Sequence, residues 1–122
     1  MEFAWQVNRD HLKVTVRAEF NLTDGKAGVD ELYRLCGRHA LSKVLVDATD
    51  LADNATVGSR FNLGEYLAVS ATQPIRIAIF TATKIVRSSK ALENTANNRG
   101  AQVMTTDSME EALAFLGIAD TR

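Results

Sequence analysis

The chain has 122 residues, one proline, one cysteine, 46% hydrophobic and 24% charged residues, and a formal charge of −1. That is the size of one domain able to bury its own core, and it excludes disordered, collagenous and disulfide-built classes. Near-neutral charge removes the global electrostatic basis for binding nucleic acid or anionic membranes. No apolar run reaches the roughly 18 residues of a membrane helix, and residues 1–6 lack the basic and apolar regions of a secretory signal. A cytoplasmic, single-domain protein without integral membrane association is expected.

In chain order, Phe3, Trp5 and Val7 alternate with Glu2, Ala4 and Gln6. After a turn at Asn8, Arg9 and Asp10, the residues Leu12, Val14, Val16, Ala18 and Phe20 alternate with polar neighbours. Period two with a short connection predicts an antiparallel hairpin, one face buried and one wet. Val29, Leu32, Tyr33 and Cys36 then share one helical face. Asn21 or Thr23 is its N-cap, and the helix stops at Gly37 or runs to Ala40. Val44, Leu45 and Val46 predict a short central strand ending at Asp47, followed by a polar loop over 48–55. Thr56 caps the next helix, with Val57, Phe61, Leu67, Ala68 and Ala71 as its inward stripe, and Pro74 marks its end. Residues 75–80 form the most strand-like run. Lys84, Arg87, Ser88, Ser89 and Lys90 open a third helix with Leu92, Thr95 and Ala96 inward. Gly100 takes a helix-ending left-handed position, residues 102–105 form a last strand, and Ser108 to Glu111 has the form of a capping box before Ala112, Leu113 and Leu116.

The order is therefore one strand and four β-α units. Right-handed crossovers place the helices mainly on one side of a mostly parallel five-stranded sheet whose first strand is antiparallel. Asp47, Thr81 and Thr105 then lie at one edge. The other face has no obligatory cover, so Phe3, Trp5 and Leu45 meet either a helix or a second copy of the chain in a homodimer.

This layout resembles the SpoIIAA-like (STAS) superfamily, in its STAS/SEC14-type branch of small bacterial stand-alone domains. The residues that carry the resemblance are Leu45-Val46-Asp47, Phe61-Asn62-Leu63, Arg76-Ile77-Ala78-Ile79, Asn98-Arg99-Gly100-Ala101-Gln102-Val103 and the ending Glu110-Glu111-Ala112-Leu113-Ala114-Phe115-Leu116. The resemblance implies a non-enzymatic regulator that binds a protein partner, with a switch hydroxyl at the start of the helix after the third strand. For some members it implies an apolar or lipid-like ligand. The Asp-Ser-Ser-Gly type of motif of the anti-sigma antagonists is missing, and Thr56 and Ser59 are the hydroxyls at the comparable place.

The chemistry-bearing residues are few. Asp47, Asp50 and Asp53 lack the alternate spacing of a calcium loop, and loop solvation explains them. His11 and His39 adjoin no nucleophile and read as surface residues. Cys36 falls on an inward stripe and reads as core. Gly58, Gly64 and Gly100 make no nucleotide fingerprint. Arg9, Lys13 and Arg17 form a solvated strip. No cofactor, metal or nucleic acid is expected. In open α/β sheets, sites gather beyond strand C-termini. There Asp47, Asp50, Asn54, Thr56 and Ser59 face Thr83, Arg87 and Ser88 if their strands are neighbours. A small anion could take helix-start N–H groups and the Arg87 charge. A binding module is the first reading. The alternative is a small enzyme using Asp47 or a histidine as acid or base.

Overall fold

The computed structural model describes residues 1–52 and 54–119. The elements are β1 (Glu2–Val7), β2 (Leu12–Glu19), α1 (Leu22–His39), β3 (Lys43–Ala52), α2 (Val57–Val69), β4 (Arg76–Phe80), α3 (Thr83–Val86), α4 (Lys90–Asn98), β5 (Gln102–Thr106) and α5 (Met109–Leu116). The five strands form one sheet in sequence order. β1 runs antiparallel to β2, and every other pair is parallel. Val46 pairs with Ile79 and Asp47 with Phe80, while Phe80 pairs with Thr106. The C-terminal ends of β3, β4 and β5 therefore share one edge, as expected.

β3 is longer than its apolar run suggests. It continues to Ala52 because β2 extends far enough to pair with it: Arg17, Ala18 and Glu19 lie opposite Asp50, Leu51 and Ala52. Between Thr15 and Arg17 the register shifts, so Ala48 and Thr49 face the single residue Val16. Such a bulge bends and twists the ladder. Ala18, at φ 69°, takes up left-handed backbone just beyond it.

The capping residues do what their chemistry favours. Asn21 accepts from the Asp24 amide and starts α1, which runs through Gly37 and ends at a left-handed Ala40. Thr56 accepts from the Ser59 amide and Ser108 from the Glu111 amide. The capping box of α5 is modified: the Glu111 carboxylate accepts from the Thr106 hydroxyl, whose oxygen accepts the Ser108 amide.

α1, α2 and α4 pack on one face of the sheet. Their buried residues Val29, Leu32, Cys36, Leu67, Leu92 and Ala96 meet Leu12, Val14, Val44 and Ile77 in the larger core. Phe3 and Trp5 also point to this side, stacked with ring centroids 5.6 Å apart. The Phe3 ring lies against Gly28 so closely that a Cβ there would fall 2.7 Å from it. α2 and α4 cross at Gly64, where a Cβ would stand 2.6 Å from the Leu92 carbonyl oxygen.

The helices collect mainly on one side, as expected; α5 is the exception and packs on the opposite face against β3, β4 and β5. Leu45 and Ala78 lie beneath Ala112, Leu113 and Leu116 in a second, smaller core. No strand follows α5 in this sheet, so no crossover dictates its side, and apolar residues on the far face of β3 and β4 hold it there. Leu45, Phe3 and Trp5 are thus accounted for by intrachain packing. Over β1 and β2 the far face stays uncovered, in keeping with its polar alternation.

The two sheet edges differ. Along β5, α4 side chains fill the outward hydrogen-bonding positions. Asn97 accepts from the Val103 amide at 2.7 Å and donates to its carbonyl at 2.9 Å. Glu93 accepts from the Thr105 amide at 2.7 Å, and Lys90 donates to the Thr105 carbonyl at 3.2 Å. β1, the other edge, has no side chain placed along its outer backbone among the described residues.

Candidate functional site

The ends of β3 and β4 bring together two loops, over 54–56 and 81–82. The Thr81 hydroxyl donates to the Ala48 carbonyl at 3.4 Å and its amide to the Thr106 carbonyl at 2.9 Å. Several expected site residues here have structural work. Asp47 accepts from both the amide and the hydroxyl of Thr49, at 3.1 and 2.7 Å. Asn54 accepts from the Phe20 amide at 2.9 Å and fastens this loop to the end of β2. Asp50 is an exposed strand residue opposite Arg17, not a loop ligand. Asp53 lies outside the described residues. Among the described residues, no three His, Cys, Asp or Glu side chains converge as metal ligands.

The basic cluster does not open one long helix. Thr83 and Lys84 belong to the four-residue α3, Arg87 is its exposed C-cap, and Ser88 donates to the Ile85 carbonyl at 3.0 Å. α4 starts afresh at Lys90, whose ammonium is committed to Glu93 and the Thr105 carbonyl. The three cations therefore lie apart along two short helices rather than around one helix start.

Thr56 and Ser59 do come together. The Thr56 hydroxyl donates to Ser59 Oγ at 3.0 Å while accepting the Ser59 amide at the same distance. Beside them lies the feature that the apolar pattern misassigned. The buried residues of α2 are Arg60, Gly64 and Leu67, at i, i+4 and i+7. Val57 and Phe61 therefore turn outward, 71% and 45% exposed. The expected stripe placed Val57 and Phe61 inward because Arg60 and Gly64, which hold the buried face there, carry no apolar side chain to mark it. Gly64, with no side chain to signal burial, carries the closest packing instead. Arg99 lies over the Phe61 ring at 5.3 Å and pairs with Glu65 at 3.3 Å.

Under this edge, between the sheet and α1, α2 and α4, is a cavity of about 150 Å³. Phe3, Val16, Val46, Leu63, Leu67 and Ile79 line its apolar wall, and buried Arg60 and Thr81 with half-buried Ser89 contribute polar groups. Sequence reasoning missed it because no local pattern marks a space shared by eight elements.

The acid-base candidates lie elsewhere. His11 is buried, not a surface residue: its Nδ1 is 2.7 Å from Asp10, and its Nε2 is 3.1 Å from Asn8. The bond to His11 holds the Asp10 carboxyl below its ordinary range. This cluster sits at the start of β2, the opposite end of the sheet from Asp47. His39 is exposed in the last turn of α1. Cys36 is fully buried, and desolvation pushes its thiol up to about 11.

No family model matches the chain, and no curated protein matches it. Among solved structures, the chain is similar to the anti-sigma factor antagonist SpoIIAA in its unphosphorylated form, with a TM-score of 0.57 and 15% identity over 98% of this chain and 100% of that one. The chain has the SpoIIAA-like (STAS) α/β fold, and the likeness extends across its whole length. Among the described residues, no helix is long and apolar enough to cross a membrane.

Proposed function

We propose that this chain is a non-catalytic regulatory module, a single cytoplasmic domain that engages a protein partner through the first turns of α2. The observation that carries this reading is the outward pair Val57 and Phe61, one turn apart, beside the bonded hydroxyls of Thr56 and Ser59. Exposed apolar side chains rimmed by polar groups are what a partner surface offers. The fold likeness to an anti-sigma factor antagonist supports a partner-binding role. Thr56 and Ser59 are the places where a phosphate would act. About two negative charges at the start of α2 would change what docks there without unfolding the domain. Arg87 and Thr83, exposed across the edge, contribute to its rim.

The enzyme alternative has less support. Asp47 is occupied by Thr49, and the His11–Asp10 pair stands at the far end of the sheet with no nucleophile bonded to it. Catalytic acid-base work requires these groups to converge with an orienting partner.

The cavity supports one addition: a small apolar or amphiphilic ligand, its body among Val46, Leu63 and Ile79 and its polar end toward Arg60. Apolar cavities of about this size stay dry and take up molecules such as benzene.

The test of the partner site is affinity capture from the source cells, comparing wild type with V57D/F61D, S59D and R87A. Loss of a defined partner in V57D/F61D and altered capture in S59D, with native circular dichroism, is the expected result. Capture unchanged in all three variants sinks the reading. For the cavity, native mass spectrometry of freshly purified protein reports a bound small molecule. Replacing Leu63 with Trp should expel it.

A further inference from the structure

We propose that β1 is a self-pairing edge, through which two copies of this chain join antiparallel about a two-fold axis at Ala4. The first observation is the asymmetry of the sheet. The β5 edge is closed by Asn97, Glu93 and Lys90, whereas Glu2, at one end, is the single charged side chain along β1. Its sequence, Glu-Phe-Ala-Trp-Gln-Val, has no proline and no lysine, and its pairing with β2 has no bulge. Alternate residues of β1 turn N–H and C=O groups outward along six residues.

The second observation selects a copy of the same chain as the occupant. With Ala4 opposite Ala4, Phe3 falls opposite Trp5 and Glu2 opposite Gln6. Each pair keeps its face, as antiparallel neighbours must. On the polar face Glu2 already lies beside Arg17 of β2, and Gln6 beside Lys13. The joined sheet would then carry rows reading Arg17, Glu2, Gln6, Lys13, the last two from the second copy. Each carboxylate lies between its own guanidinium and the other chain's amide and ammonium, and no like charges meet. On the helix face the rows read Val16, Phe3, Trp5, Val14, again crossing from one copy to the other. They extend an aromatic stack that each chain already holds. The strand is complementary to itself in charge and in the order of its apolar and polar residues.

The experiment is sedimentation equilibrium over a wide concentration range, paired with amide hydrogen exchange on the same samples. Wild type should form a reversible dimer, with amides of Glu2–Val7 gaining protection as concentration rises. The double variant E2K/Q6K places lysine opposite lysine at both ends of the pairing, on side chains that are exposed in the monomer. It should weaken self-association by about tenfold or more while leaving the circular dichroism spectrum native. A wild-type protein that is monomeric up to its solubility limit overturns the proposal. So does a dimer whose β1 amides exchange independently of concentration, or one that E2K/Q6K leaves as tight as before. Protection of β1 only when a different protein is bound would assign the edge to that protein and overturn self-pairing.

Discussion

Cys36 and Tyr33 lie on the buried stripe of α1, and burial raises both groups: the thiol to about 11 and the phenol to about 12. The Tyr33 hydroxyl donates to the Leu67 carbonyl at 2.6 Å, joining α1 to α2. A neutral, enclosed thiol is a poor nucleophile. Native protein should therefore react with an aromatic disulfide reagent about a thousandfold more slowly than urea-unfolded protein, at a rate set by opening of the fold. Rapid labelling at neutral pH would show that α1 is not packed as described. Gly64 offers a sharper probe. Its missing Cβ lets α2 approach the Leu92 carbonyl, and backbone cannot swing aside as a side-chain end can. Gly64→Ala should lower stability by about 1–3 kcal/mol in urea denaturation, despite alanine's better helix propensity. Gly37→Ala, with open space around its Cβ, should instead be neutral or stabilising.

At the scale of elements, the periodic signals read well and the crowded ones did not. The hairpin, the α1 stripe, the inward Leu92, Thr95 and Ala96, and the start of α5 all follow from spacing and capping, because each is decided within a few residues of chain. The span of β3 past Asp47 was hidden because it depends on β2 supplying a partner across a bulge. The side chosen by α5 was hidden because it depends on which sheet face is still bare. The outward turn of Val57 and Phe61 depends on Gly64 packing against α4, which composition cannot register. Of the candidate site, the strand edge and the Thr56–Ser59 pair were legible. The separation of the basic cluster and the buried state of His11 were not. Two substitutions on α2 make the rotation measurable. Leu67→Ala should cost about 2–5 kcal/mol, whereas Phe61→Ala should cost well under about 1.5 kcal/mol, since its ring is half in solvent. Equal losses would mean that Phe61 belongs to the core. For α4, Asn97→Ala strips both hydrogen bonds from Val103. It should destabilise by about 1–3 kcal/mol and speed exchange of the Val103 amide.

For the whole molecule, the titrating groups set the pH range of the fold. The Cys36 and Tyr33 values in the native state exceed those of the unfolded chain, so the unfolded state loses protons first as pH rises. Stability present below pH 9.0 should fall progressively toward 11, with Cys36 leading. In acid the sign reverses. Asp10 and Glu31 are held low by His11 and Arg34, so their contribution is present above the ordinary carboxylate values of 3.8 and 4.5 and fades below them. Asp10 is exposed and Glu31 partly so, so the acid decline should be shallow and the alkaline one steeper. Urea midpoints measured from acid to alkaline pH test this, and Cys36→Ala should flatten the alkaline limb below pH 10.0, where Tyr33 takes over.

The side chains that α4 lays along β5 have a consequence for the size of anything this sheet can build. A strand-pairing protein with two open edges is divalent: each addition leaves a fresh edge, and growth runs on into fibres. With Asn97, Glu93 and Lys90 occupying one margin, this sheet is monovalent. Whatever strand adds at β1 terminates the assembly, so a chain with an aromatic, lysine-free margin can pair without becoming a polymer. Removing the seal with N97A/E93A would restore the second valence. Its signature would be a light-scattering mass that climbs continuously with concentration instead of levelling off.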